Sequence, residues 1–170
     1  KVAYIQAAQV YCNQEASFIA RGAAEETYAY YSSVQMAGYG MGYPIIVGCH
    51  NTHRMAALKE VGGFAAHDAE DLLLTLTYRA NGWQGVYVPE VLAQGLTPVD
   101  WRGYLQQQRR WARSVLDIKF RRYSSLSKNL SLQSRVMSFL HGLNYLHRTV
   151  IIFLTILLNA FMLATGRVPA

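Results

Sequence analysis

Past Asp117 the chain carries no carboxylate side chain, and ahead of Asp68 it carries no aspartate. Charged residues of any kind are scarce, 15% of 170, against ~25% in ordinary soluble domains. Part of the chain is therefore expected to face something other than water. Cys12 and Cys49 are the two cysteines, too few for a disulfide framework, which leaves a lean towards a reducing compartment. No signal-like apolar segment follows Lys1, and a start without Met reads as part of a longer protein. Apolar residues reach 52%. That excludes disorder, because ample surface is available to bury against conformational entropy. The length fits one domain of ordinary size, ~100–200 residues.

What charge there is falls unevenly. Residues 1–100 hold five basic and nine acidic side chains, whereas residues 101–135 hold nine basic and one acidic. Between Arg148 and Arg167 lie 18 uncharged residues, TVIIFLTILLNAFMLATG, at the short end of the ~17–25 that cross a bilayer. Thr149, Thr155, Asn159 and Thr165 fit a buried core helix instead. The Ile and Leu run, the missing carboxylates and the basic segment ahead of it favour a transmembrane helix over 149–166. The positive-inside tendency then places residues 1–148 in the cytoplasm. An integral protein of the inner or plasma membrane is expected.

Residues 2–11, VAYIQAAQVY, read as a buried strand. Helical periodicity follows from Asn13 to about Gln35. AGYGMGY, residues 37–43, has three glycines in seven positions and reads as a loop. Pro44 opens a second strand, IIVGC, and a short helix follows over Arg54–Val61, stopped by Gly62 and Gly63. Residues 68–81 form a helix with acids in its first turn, Leu72, Leu73 and Leu76 on an apolar face, and Gly82 at a left-handed cap. A strand in GVYVPEVLA, a long helix over 101–122, a polar stretch YSSLSKNLS and an amphipathic segment over 131–148 complete the chain. This order indicates an α/β domain with helices appended at a membrane.

Asp68, Glu70 and Asp71 begin a helix, where its dipole favours each carboxylate by ~0.3–1 kcal/mol. Simple N-terminal capping and a ligand site at the mouth of a sheet both remain open from charge alone. Gln107–Trp111 (QQRRW), with Arg113, Lys119, Arg121 and Arg122, combines arginine forks that match phosphate with a Trp face that suits a sugar ring or a base. A basic helix lying on anionic lipid, with Trp111 as interfacial anchor, is the plainer alternative. Nucleic acid is disfavoured by the acidic first hundred residues and the apolar tail. His50 and His53, an H-x-x-H pair beside Cys49, lack a second ligand pair at zinc spacing. They read as hydrogen-bonded loop structure, with no metal site.

Taken in order, these segments resemble the membrane-bound, processive members of glycosyltransferase family 2, the cellulose, chitin and hyaluronan synthases. VGCHNTHRMAALKEVGGF, residues 47–64, is similar to the family's Gly-(Ser/Thr)-…-Arg-…-(Ile/Val)-Gly-Gly-Phe segment. Glu70-Asp71 matches its Glu-Asp pair, with Gly82-Trp83 following 11 and 12 residues after Asp71. Gln107, Arg110 and Trp111 match its Gln-x-x-Arg-Trp signature, and an apolar helix lies some 40 residues beyond. The resemblance covers residues 44 to 166. Cys49 stands where relatives usually have Ser or Thr, and His50 and His53 fit no family pattern. The family's nucleotide-binding first half, with an Asp for the uracil and an Asp-x-Asp for the metal, has no counterpart here.

The resemblance implies a partial GT-A-like mixed-sheet domain over 1–122, an amphipathic membrane-interface segment over 123–148 and a transmembrane helix over 149–166. It implies an inverting hexosyltransferase, moving a sugar from a nucleotide-sugar donor to a growing β-linked polysaccharide at the cytoplasmic membrane face. Asp71 is then the general base, Trp111 stacks on the acceptor sugar, and Arg110 with Gln107 neutralises the diphosphate. Gly48 and Cys49 line the acceptor pocket, with Glu70 helping to orient it. The divalent metal, manganese or magnesium, is expected to be held by residues outside this chain, so the isolated 170 residues are expected to be inactive. Expected partners are the donor, a glycan acceptor and membrane lipid. A single-sugar transferase acting on a lipid, such as a ceramide glucosyltransferase, shares the Arg-Trp signature and is the main alternative. A non-catalytic membrane-anchored lipid-binding module is the other.

Overall fold

The apolar segment near the start of the chain becomes the central strand of a three-stranded sheet. In the computed structural model, which describes residues 1–167, β1 (Val2–Tyr11) lies between two neighbours. β2 (Asn51–His53) runs antiparallel to it and β3 (Gln84–Gly95) parallel. The sheet is mixed and the chain is α/β. Tyr4 pairs with His53 on one side and Gly85 on the other. A side chain at position 85 would collide with the Tyr4 ring, whose hydroxyl is anchored by donating to the Pro44 carbonyl at 2.7 Å.

Ser17 opens α1 (Phe18–Ala29) by accepting the Ala20 amide at 2.9 Å, which satisfies one of the unpaired amides of a helix start. Helical structure then continues through a π-turn over Tyr30–Gln35 into α2 (Met36–Gly40). The loop expected from residue 37 therefore begins only after Gly40. Gly38 is where the returning chain packs closest: a Cβ there would sit 2.8 Å from the Tyr43 carbonyl. The glycine serves that approach rather than a turn.

The strand expected over 44–49 does not form. Residues 43–47 have no ladder partner, and the strand of this region is β2, beginning at Asn51. α3 (Met55–Glu60) and α4 (Glu70–Ala80) follow. α4 ends at Gly82, φ +77°, with the Trp83 amide returning to the Tyr78 carbonyl at 2.9 Å, the left-handed cap that the sequence indicates.

Asp100 caps α5 (Trp101–Asp117) by accepting the Gly103 amide at 2.7 Å. A π-turn over Ile118–Arg122 leads into α6 (Tyr123–Leu126), so the polar stretch after residue 122 starts as helix. α7 (Leu132–Leu140) and α8 (Leu143–Thr165) complete the described chain. They are separated at Gly142, φ +78°, where a side chain would strike Val115.

The core has two parts with α4 between them. Leu72, Leu73 and Leu76 pack with Tyr43, Ile45, Val115 and Ile118, while Leu74 and Tyr78 pack with Tyr4, Ile46 and Trp83. α4 is thus buried on two faces, not the one expected. α8 is the opposite case. Its side chains from 149 to 161 are exposed, and Leu132–Thr165 is long and apolar enough to cross a membrane, with none of its most apolar window buried. A buried core helix is therefore not what these residues form.

Candidate active site

Residues 45–48 lack a strand partner, yet every amide in this run is taken, each by a different side chain. The Ile45 amide donates to Gln35 Oε1 at 3.3 Å, and Ile46 donates to Thr75 Oγ1 at 3.0 Å. Val47 donates to Gln6 Oε1 at 2.8 Å, and Gly48 donates to Asp71 Oδ2 at 2.7 Å. Gln6, Gln35 and Thr75 are fully buried, where an unpaired amide costs ~1–3 kcal/mol. These side chains therefore set the path of the segment. Gln6 also donates to the Cys49 carbonyl at 2.9 Å.

The end of that path is Asp71, in the first turn of α4. Oδ2 accepts from Gly48 and Oδ1 accepts from the Leu72 amide at 2.7 Å. Each oxygen is held by one amide and keeps lone-pair capacity for a further proton donor. Burial raises the carboxyl pKa above the ordinary aspartate value. The Gly48 and Leu72 amides oppose that rise, and the neighbouring Glu70 charge adds to it. A carboxylate oriented by amides and kept more basic by burial is suited to accept a proton.

Gly48 and Cys49 are exposed beside it. Gly48 sits at φ +51° and His50 at φ +58°, a left-handed region where glycine is at ease and histidine is strained. The Cys49 thiol donates to Gln9 Oε1 at 3.1 Å, and burial pushes its pKa up. A neutral, small, hydrogen-bonding side chain therefore stands where Ser or Thr was the expected type. His53 uses both ring nitrogens internally, with the Tyr78 hydroxyl at 3.1 Å and Asn51 Oδ1 at 2.7 Å. Among the described residues no three His, Cys, Asp or Glu side chains converge to hold a metal ion.

α5 brings the second group. At ~100° per residue, Gln107, Arg110 and Trp111 occupy one contiguous sector of the helix. Trp111 shares a stripe with Val115 and Ile118, which are buried against Leu72 and Leu73 of α4. Gln107 and Trp111 are half-buried and Arg110 is exposed. The structure thus joins Gly48 directly to Asp71, while the neighbouring Cys49 is held by Gln9 and Gln6. It places Gln107, Arg110 and Trp111 on the helix whose far end packs against the start of α4. His67 closes the arrangement: its Nδ1 accepts the Ala69 amide at 3.0 Å, and its Nε2 lies 3.2 Å from Asp117 Oδ2.

Sequence reasoning missed the positioning residues. Gln6, Gln35 and Thr75 had a visible signal, being polar residues inside apolar runs. Glu26 on α1, which accepts from two side chains of α5, had none.

The sequence matches the family described as glycosyl transferase family group 2 over residues 1–166. It is 32% identical over 73 residues to a UDP-forming cellulose synthase catalytic protein of Dictyostelium discoideum, covering 42% of this chain and 7% of that protein. It is 48% identical over 40 residues to an N-acetylglucosaminyltransferase of Rhizobium sp. (strain MPIK3030), covering 24% of this chain and 20% of that protein. The matched stretches span a small part of both relatives.

Proposed function

The chain belongs to glycosyl transferase family group 2, and from that premise we propose that it forms the acceptor side of an inverting hexosyltransferase with a GT-A-like domain at a membrane surface. The observation that carries the reading is Asp71, whose carboxylate is oriented by the Gly48 amide at 2.7 Å and made more basic by burial.

Asp71 takes the proton of an acceptor hydroxyl as that oxygen bonds to the anomeric carbon of a nucleotide-sugar. The bond from that carbon to the diphosphate breaks on the opposite face, its electron pair leaving with the nucleoside diphosphate, so the configuration inverts. Proton acceptance by a positioned carboxylate contributes ~10²–10⁴ in rate. Trp111 offers its face to the terminal acceptor sugar. Arg110, with Gln107 beside it, draws the diphosphate charge. Gly48 and Cys49 leave room for the glycan, and Glu70 helps orient it. Manganese or magnesium would add charge neutralisation at the diphosphate, held by residues outside this chain.

α8 crosses the bilayer in this reading. The basic amphipathic segments of 113–148 lie along the cytoplasmic membrane face, towards anionic lipid. The name of the UDP-forming cellulose synthase favours a UDP-hexose donor and a polymeric product, and that of the second relative points to N-acetylglucosamine as the sugar. The test is product analysis with the full-length protein in membrane vesicles, supplied with labelled UDP-glucose or UDP-N-acetylglucosamine. A high-molecular-weight glycan that disappears in Asp71→Asn is expected. Label extracted with lipid would indicate single-sugar transfer, and no product with either donor would remove the enzymatic reading.

A further inference from the structure

One carboxylate joins three helices outside the catalytic and acceptor-binding residues. Glu26 of α1 accepts the Tyr104 hydroxyl and Gln108 Nε2 on the same oxygen, Oε2, each at 2.9 Å. Its other oxygen, Oε1, receives Arg148 Nη1 at 3.1 Å. Tyr104 and Gln108 are one turn apart on α5, bracket Gln107 and precede Trp111 by less than two turns. Arg148 belongs to α8 and is the last charged residue before the 18 uncharged ones.

We propose that Glu26 is a positioning residue coupling the seat of the membrane helix α8 to the rotational setting of α5, and hence to the sector presenting Gln107, Arg110 and Trp111. Two donors one turn apart on a single oxygen hold α5 against rotation about its axis. A donor from α8 on the second oxygen makes that hold depend on where α8 sits. The Arg148–Glu26 pair is half-exposed, 59% and 32%, and pairs of that kind add little stability. Its effect is geometric. Burial, followed by the hydrogen bond to Glu26 and its charge, raises the Tyr104 hydroxyl pKa. The proposal deepens the transferase reading and rests on it for the role of the Trp111 sector. The coupling itself is a statement about helices.

The test uses the full-length protein in lipid nanodiscs, with Glu26→Ala, Arg148→Gln and the double variant. Amide hydrogen exchange over residues 104–111 should quicken by about tenfold in Glu26→Ala and by about two- to fivefold in Arg148→Gln. The double variant should go no further than Glu26→Ala, while α4 stays unchanged. Unchanged α5 exchange in Arg148→Gln, or additive effects in the double variant, would overturn the coupling. Arg148→Gln alters an exposed residue, so it also serves if Glu26→Ala does not fold. In transfer assays with a short β-linked gluco-oligosaccharide, Arg148→Gln should raise the acceptor KM several-fold and leave the donor KM unchanged. A change confined to the donor KM would overturn the acceptor-face assignment. Absence of transfer by the unaltered protein would sink the enzymatic reading and leave the exchange result standing.

Discussion

His67 Nε2 lies 3.2 Å from Asp117 Oδ2, joining the loop ahead of α4 to the last residue of α5. Because His67 Nδ1 accepts the Ala69 amide, the ring hydrogen sits on Nε2 and is donated to Asp117. The imidazole thereby adds a polar tie, beside the packing of Val115 and Ile118 on Leu72 and Leu73, between the start of the Asp71 helix and the helix bearing Gln107, Arg110 and Trp111.

His67→Phe keeps the bulk and removes both bonds, leaving the Ala69 amide unpaired. A loss of ~1–3 kcal/mol is expected, measured as a lower denaturation midpoint of the detergent-solubilised protein. Turnover should fall further than nucleotide-sugar affinity, since the loosened joint lies between Asp71 and the helix of Trp111, the proposed base and acceptor platform. Equal losses in the two would show that the joint serves stability alone.

In the proposed role as base Asp71 must be ionised, and burial raises its pKa above the ordinary aspartate value. Activity should therefore decline with falling pH at a higher pH than an ordinary aspartate would give, and a kcat/KM profile reads this directly. Asp71→Asn should cost ~10²–10⁴ in turnover with donor binding retained. Glu70→Gln should cost less and keep the same acid limb. A larger loss in Glu70→Gln would move the base role to that residue.

Gln6→Leu is nearly isosteric, yet it strands the half-buried Val47 amide and leaves the Cys49 carbonyl without its Gln6 donor. The expected cost is ~1–3 kcal/mol for each group left unpaired, seen as a lowered thermal midpoint. Gln9→Ala, on the same strand but half-exposed, should fall within ~0.5 kcal/mol. Comparable losses for the two would mean that the side-chain bonds do not set the path of residues 45–48.

Leu157→Arg places a charge near the middle of the apolar run in α8, where insertion is penalised by ~2.5–3.5 kcal/mol. The unaltered protein should stay with membranes through an alkaline carbonate wash, and the variant should be released in part. Release of both would argue that α8 does not span the bilayer.

Local pattern was enough for much of this protein. β1, α3, α4, the Gly82 cap and α5 follow from periodicity, capping residues and left-handed glycine, all of which act within a few residues. The Glu70-Asp71 and Gln107, Arg110, Trp111 motifs were visible for the same reason, since their spacing is set along single helices. Periodicity records that a residue is buried and not what buries it. Ile45, Ile46 and Val47 carry the apolar, β-branched character of a strand, but their amides go to side chains 10 to 41 residues away. Residues 36–40 stayed helical through two glycines because Tyr43 comes back to pack on Gly38. α4 looked one-faced because Leu74 and Tyr78 find their partners only when the sheet folds beneath them. Sequence determined where the Glu70-Asp71 and Gln107, Arg110, Trp111 motifs lie and which segments bury themselves. Tertiary structure alone decided that Gly48 meets Asp71, that His67 meets Asp117 and that Glu26 meets Arg148. These bonds join residues 23 to 122 positions apart, so donor and acceptor come within reach only when the elements between them have packed.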